Sequence, residues 1–366
     1  MHEVAIKPQW TIRQAGGPTL APRVIELLVG VHEQGSLASA CQVLGVSYRH
    51  AWELVRQGEA LFGKPLVLME RGKGSTLTSL GEKLVWADRR VTARLSPLLD
   101  SLASELGAEI GKLLSPMPEL LRIHASHGFA IETLHGFLGA ASVPNDLKYC
   151  GSLEALESLR NAGCDVAGFH VPLGEFEAQA IAHYRPWLDA RSQKIIHVAS
   201  RHQGLMVAPG NPKKIYSLRD LKRPGVRFIN RQAGSGTRFL LDMLLQKERI
   251  APADIKGYEQ CEFTHAAVAA FVASGMADAG YGVETPARRF KLGFIPGPTE
   301  RYFLLCDDRS LAAPVVQQML ELLRGDAFKQ AVDKLPGYEA DDCGRVADLA
   351  DVFPALRGAV TAKRRR

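Results

Sequence analysis

No stretch of the 366-residue chain approaches the roughly 18 apolar residues of a membrane-spanning helix, and the N-terminal MHEVAIKPQWTIRQAGG has no apolar h-region. Cysteine is sparse: Cys41, Cys150, Cys164, Cys261, Cys306 and Cys343 make no Cys-x-x-Cys pair and no regular framework, so they read as thiols of a reducing compartment. A soluble, cytoplasmic protein without membrane contact is expected. Aromatics are only 7% of the chain. His32-Glu33 lacks the second histidine of a His-Glu-x-x-His helix, and His124, His127, His170, His183, His197, His202 and His265 have no ligand spacing, so neither a metal site nor a cofactor is predicted. There is no GxxxxGK[ST] loop, no GxSxG elbow and no nucleophile–base arrangement; the sequence predicts no enzyme.

What is present is a globular balance. Hydrophobic residues make up 46% and charged residues 23%, which excludes a largely disordered chain. The length suggests two or three compact units. Lys and Arg (45) exceed Asp and Glu (39), a net charge of +6 that permits an anionic partner without demanding one.

The first 81 residues read as an α-rich unit. Val24, Ile25, Leu27, Leu28 and Val31 suit one face of a helix over 22–32. Ser36 can cap a helix over 37–44, Gly45 supplies a tight turn, and Ser47 can cap a third helix ending near residue 61. Two short helices joined by a glycine turn form a helix-turn-helix signature, whose second helix bears Tyr48, Arg49, His50, Trp52 and Arg56. A strand over 65–70, a basic tip containing Arg71 and Lys73, and a return strand over 76–78 form a wing able to lie along phosphates. With Ser36 and Ser47 at the helix starts, these side chains are the candidate DNA contacts.

A long helix over 82–114 carries Leu84, Val91, Leu95, Leu98, Leu102, Leu106, Ile110 and Leu113 at spacings of three, four and seven, an apolar seam suited to pairing two copies. Pro97 should kink it, or restart it with Ser96 as cap. Ser115-Pro116-Met117-Pro118 breaks the pattern, so the expected boundaries are 1–81, a linker and dimerisation helix over 82–118, a ligand-binding domain over 119–345 and a terminal segment over 346–366 with the basic tail Lys363-Arg364-Arg365-Arg366.

Beyond residue 118, strands and helices alternate. Strands are expected over 120–125, 147–150, 166–170, 194–200, 204–208, 227–230 and 277–281, with helices over 129–138, 153–161, 236–248 and 264–274. Such alternation predicts parallel sheets covered by helices, with ligands beyond the strands' carboxyl ends. The sharpest motif is Phe228-Ile229-Asn230-Arg231-Gln232-Ala233-Gly234-Ser235-Gly236-Thr237-Arg238, a strand, a glycine-rich turn and a helix start. Its N–H groups, the hydroxyls of Ser235 and Thr237, and Arg231 or Arg238 have the composition of an anion cradle. Ser126-His127-Gly128 and Gly151-Ser152 repeat the chemistry at two further strand ends, Tyr281 lies at a fourth, and His170 follows a strand.

The N-terminal segment resembles the DNA-binding domain of ModE-type and LysR-type regulators through Gly35-Ser36-Leu37, Leu44-Gly45-Val46-Ser47-Tyr48-Arg49, Ala51-Trp52 and Leu77-Thr78-Ser79-Leu80-Gly81-Glu82. The Ser-Tyr-Arg-x-Ala-Trp run is specifically similar to the molybdate-responsive ModE group. Residues 120–340 resemble the PBP-like domain related to periplasmic substrate-binding proteins, through Gln203-Gly204-Leu205-Met206-Val207-Ala208-Pro209-Gly210-Asn211-Pro212, Leu218-Arg219-Asp220-Leu221 and the 230–238 run. The small ligand domain usual in ModE-type regulators is not there.

The resemblance implies a multidomain fold: a winged helix-turn-helix domain with a linker helix, then a two-lobed α/β periplasmic-binding-protein-like domain. It also implies a regulator that binds double-stranded operator DNA as a homodimer or dimer of dimers and closes on a small anionic effector. Molybdate or tungstate is the leading effector, and formate or another small organic anion the runner-up. The competing reading is a molybdenum-cofactor pathway protein whose N-terminal domain serves only assembly.

Overall fold

The computed structural model describes residues 4–70, 74–114 and 119–357. The chain divides into two compact units, one Lys7–Leu95 and the other running from Ser96 onward together with the residues before Lys7.

The first unit is three helices and a hairpin. Helix α1 (Pro22–Gln34) buries Val24, Leu27, Leu28 and Val31. Ser36 accepts the Ser39 N–H to start α2 (Leu37–Leu44), and Gly45, at φ 63°, allows the left-handed turn that ends it. Ser47 accepts the His50 N–H to start α3 (Tyr48–Phe62). Strands β1 (Val67–Glu70) and β2 (Gly74–Leu77) form an antiparallel hairpin, pinned to α2 by the Leu37 N–H donating to Ser75 Oγ at 3.2 Å. Arg71 and Lys73, the expected wing tip, lie outside the described residues, as do 115–118 and the basic tail.

Helix α4 spans Ser79–Leu114. The sequence predicts a kink at Pro97 or a restart capped by Ser96; α4 does not restart there. Proline removes one backbone donor, and the Pro97 carbonyl gains a side-chain donor in the Ser101 hydroxyl at 2.8 Å. Leu84 leaves the expected seam: it is buried in the core of the first unit. Leu95, Leu98, Leu102, Leu106, Ile110 and Leu113 are exposed.

The second unit is an α/β body in two lobes. In the first lobe β3 (Leu121–Ala125) lies parallel to β4 (Asn145–Tyr149) and β5 (Val166–Pro172), with helices α5 (Phe129–Ala140), α6 (Ser152–Arg160) and α7 (Glu177–Tyr184) on its faces. Strand β6 (Gln193–Val207) crosses the body. In the second lobe β7 (Phe228–Arg231) leads to α8 (Gly236–Lys247), β8 (Cys261–Glu262) to α9 (His265–Ala273), and β9 (Ala279–Val283) to α10 (Glu284–Arg289). Strand β7 runs parallel to both β8 and β9. Strand β10 (Gly293–Asp307) then returns antiparallel to β6 along nearly its whole length. The strand path is β4-β3-β5-β10-β6-β9-β7-β8, and off it the short strands β11 (Tyr338–Glu339) and β12 (Val346–Asp348) pair with β6.

The sequence predicts two strands, 194–200 and 204–208; the structure has the one strand β6. Arg201 and Gln203 interrupt the apolar run but are buried with partners, so the strand continues through them. Strand β10, for which the sequence predicts no element, carries Pro296, Gly297 and Pro298; its ladder with β6 shifts register between Pro296 and Thr299, and the strand resumes. The antiparallel pair of β6 and β10 thus joins two otherwise parallel half-sheets.

Candidate functional site

The carboxyl ends of β3, β4, β5, β7 and β9 meet the middle of β6 and β10, and there the apolar core gives way to a buried polar cluster. Arg201 and Glu300 are opposed in the β6–β10 ladder, and Arg201 Nε donates to Glu300 Oε1 at 2.5 Å, with both side chains 1% exposed. Gln203 Nε2 donates to the same oxygen at 2.8 Å and to Thr237 Oγ1 at 3.0 Å, tying the second lobe's α8 to the pair. Arg201 also reaches the Tyr338 hydroxyl at 3.4 Å and packs against Gly128, where a Cβ would lie 3.0 Å from Nη1.

Each loop singled out in the sequence arrives here. Ser126 Oγ sits 3.3 Å from His170 Nδ1 and donates to the Tyr302 hydroxyl at 3.3 Å, which in turn donates to the Ser126 carbonyl at 3.1 Å. His127 lies 4.9 Å, centroid to centroid, from the Tyr149 ring. Ser152 is buried at the start of α6, and a Cβ on Gly151 would come within 3.9 Å of the Gly234 carbonyl. Gly236 opens α8 directly against His170: a Cβ there would lie 2.1 Å from His170 Nε2. That nitrogen, Gln203 Oε1, Glu300 Oε2 and the Tyr281 hydroxyl are buried without a hydrogen-bond partner. Buried polar atoms are almost always satisfied, so these four orphans stand out.

Other members of the motif hold the loop. Asn230 donates to the Tyr258 carbonyl at 3.2 Å and accepts the Arg231 N–H at 2.9 Å. Ser235 caps α8 by accepting the Arg238 N–H at 3.2 Å, and its hydroxyl donates to the Gln232 carbonyl at 2.9 Å. Gly234, at φ 80°, permits the turn. Arg238 stacks over the Tyr258 ring at 3.8 Å and pairs with Asp242 at 3.3 Å. Arg231 is buried, donating to the Phe263 carbonyl at 2.9 Å and to Gln232 Oε1 at 3.1 Å.

Burial and buried cations govern the titration of the cluster. Burial, reinforced by Arg201, lowers the Arg231 pKa to about 9, still charged at neutral pH. His127 and His170 are both lowered to about 4, by burial first and by the guanidiniums of Arg201 and Arg231; Glu300 opposes the shift at His170. His265 is pushed well below its ordinary value by burial and the same cations, and its Nδ1 accepts the Val283 N–H at 3.3 Å. Burial would raise the Glu300 pKa, but Arg201, His170 and Gln203 outweigh it and the carboxylate stays ionised. The guanidiniums of Arg201 and Arg231 thus lie among neutral imidazoles together with two buried carboxylates, Glu300 and Glu262, the latter opposite Arg231 in the β7–β8 ladder. Among the described residues no three His, Cys, Asp or Glu side chains gather as for a metal ion.

Sequence reasoning missed Arg201, Gln203, Glu300, Tyr302 and His265. Arg201 with Gln203, and Glu300 with Tyr302, lie two residues apart and hence on one face of each strand, but His202 and Arg301 between them are polar too, so no alternation marks them in the sequence.

On the first unit, Tyr48, Arg49, His50 and Arg56 are exposed along α3. Trp52 is half-buried against the core, with the Arg56 guanidinium 5.2 Å over its ring, and Arg49 pairs with Glu53 at 3.3 Å. Ser36 and Ser47 serve as helix caps.

Residues 139–324 match the PBP superfamily domain, and the chain belongs to that family. Residues 22–82 match the bacterial regulatory helix-turn-helix protein, lysR family. The chain thus carries a lysR-family helix-turn-helix domain followed by a PBP superfamily domain. The chain is 35% identical over 199 residues to the uncharacterized protein YvgK of Bacillus subtilis (strain 168), covering 54% of this chain and 64% of that protein. It is 29% identical over 118 residues to the molybdenum-pterin-binding protein MopB of Rhodobacter capsulatus, covering 31% of this chain and 43% of that protein. The chain thus spans less than two thirds of the length of either relative. Among solved structures, an H2O2-bound cysteine-to-serine mutant of OxyR from Corynebacterium glutamicum aligns with a TM-score of 0.43 at 16% identity, over 86% of this chain and 94% of that one. No helix among the described residues is long and apolar enough to cross a membrane.

Proposed function

We propose that the chain is a DNA-binding regulator that responds to a small oxyanion held between its two lobes, with molybdate or tungstate the leading candidate and a small organic anion such as formate the alternative. The observation that carries the reading is the interlobe cluster: Arg231 and Arg201, the orphaned His170 Nε2 and Tyr281 hydroxyl, and the amino end of α8 converge where water is excluded. Such donors bind anions without a metal. Molybdenum is favoured among oxyanions by the relative whose name records molybdenum-pterin binding. The exposed Tyr48, Arg49, His50 and Arg56 face of α3 is the surface proposed to enter a major groove.

Calorimetric titration with molybdate, tungstate, phosphate, sulfate and formate tests the ligand. Molybdate or tungstate should bind most tightly, and Arg231→Gln should weaken binding about ten- to a hundredfold, the worth of a hydrogen bond to a charged group. A gel shift on the DNA upstream of the chain's own gene tests the regulator: Arg49→Ala should lose roughly 1–3 kcal/mol of specific binding. Heat with formate alone would move the effector to the organic class, and no shifted DNA would end the regulatory reading.

A further inference from the structure

Strand β4 is the edge of the sheet, paired with β3 on one side only. A parallel edge strand presents alternate N–H groups outward, and these need partners. Here the partners are two serines one turn apart on α4: the Leu147 N–H donates to Ser104 Oγ at 2.8 Å and the Tyr149 N–H to Ser101 Oγ at 2.9 Å. Both capacities of the Ser101 hydroxyl are used, since its own proton goes to the Pro97 carbonyl. The long helix therefore takes the place of a missing neighbour strand, holding β4 by hydroxyls rather than by apolar packing.

What β4 carries makes the clamp more than structural. The Tyr149 ring packs on His127, and its hydroxyl is pushed well above its ordinary pKa by burial and by Glu132 of α5 and Asp100 of α4. One residue on, the Cys150 N–H joins the Ala125 carbonyl at 2.9 Å; then come Gly151 and Ser152, beside the Gly234 turn of the opposite lobe. The carboxyl end of β4 thus lies between the anion loops and the two serine hydroxyls of α4.

We propose that Ser101 and Ser104 are positioning residues that couple occupancy of the interlobe site to the long helix. The inference rests on the regulatory reading above. The coupling element is the β4 edge with its two N–H donors, and its route is His127, Tyr149, β4, then the serine pair.

The test is hydrogen exchange on the full chain, read by peptide, for wild type, Ser101→Ala/Ser104→Ala and the conservative Ser101→Thr, with molybdate as the probe. In wild type and in Ser101→Thr, molybdate should slow exchange in the site loops 126–128 and 234–237 and alter it in the helix segment 98–108. In the double alanine variant the loops should still respond while the helix response disappears, and the ratio of operator affinities with and without molybdate should fall towards one. A helix response that persists undiminished in the double variant overturns the proposal, as does a wild-type helix that ignores a ligand its loops clearly bind. Where molybdate leaves the loops unchanged, the choice of anion fails instead, and the clamp is decided without ligand: His127→Ala should perturb exchange over 98–108 in the wild-type background and not in the double variant, and equal perturbation in both would overturn it. Should the double variant be unstable, Ser101→Ala alone carries the same comparison.

Discussion

Arg201 and Glu300 face each other across the antiparallel ladder of β6 and β10, joined at 2.5 Å and almost wholly shielded from water. A buried ion pair offsets its own desolvation only when both partners are present. Glu300→Gln should therefore cost about 3–5 kcal/mol by leaving the guanidinium uncompensated, whereas Arg201→Met/Glu300→Leu should recover most of that loss. Thermal denaturation of the three proteins checks this; a double variant as unstable as the single one would mean that the pair does more than neutralise itself.

At Gly236 the two lobes approach closely. A methyl group there would lie 2.1 Å from His170 Nε2, so Gly236→Ala must push the α8 amino end away from β5. The expected cost is about 1–3 kcal/mol with loss of anion binding. Adding His170→Ala should restore the stability, because the clash is removed, and should not restore the affinity if the proposed site uses His170 Nε2. Wild-type stability and affinity in Gly236→Ala would show that the two lobes do not approach in solution as they do here.

Acid should loosen the second unit. Burial holds His127, His170 and His197 at about 4 and pushes His265 well down too, against 6.5 when unfolded. Over that interval the unfolded chain binds more protons, so stability present above pH 6.5 is lost as pH falls towards 4. Each such histidine contributes at most about 1.4 kcal/mol per pH unit. The melting temperature should drop through this window, and His170→Gln should shallow the slope. Identical slopes would remove His170 from the titrating set. An anion in the site offsets the guanidiniums and should make the acid transition less steep.

The exposed seam on α4 predicts self-association. Leu98 is 60% exposed and Leu102 40%, so replacing either with Asp should leave each unit folded. If Leu95, Leu98, Leu102 and Leu106 pair two copies, Leu98→Asp should be monomeric by light scattering and bind operator DNA weakly. A Leu98→Asp protein with unchanged mass in solution would place the contact elsewhere.

Local sequence determined the first unit. Ser36, Gly45, Ser47 and the apolar spacing of α1 specify three helices and their turns, because caps and amphipathic faces act within a few residues. The sequence likewise marked which strand ends carry glycines and hydroxyls, since those signals sit at Ser126, Gly151 and the 230–238 run. Only the tertiary structure decided what they surround. Arg201 comes from one crossing strand and Glu300, 99 residues later, from the other, and nothing local pairs them. It also decided which motif residues are spent on the loop: Ser235 as a cap and Asn230 as a latch look the same in sequence as ligand donors, and differ only in whether a backbone partner is already in reach. The strands β6 and β10 were hidden for a related reason. Polar residues that would end a strand exposed to water are tolerated where an opposing strand supplies their partners, and the prolines of β10 sit where its ladder shifts register; that opposition exists only once the chain has folded.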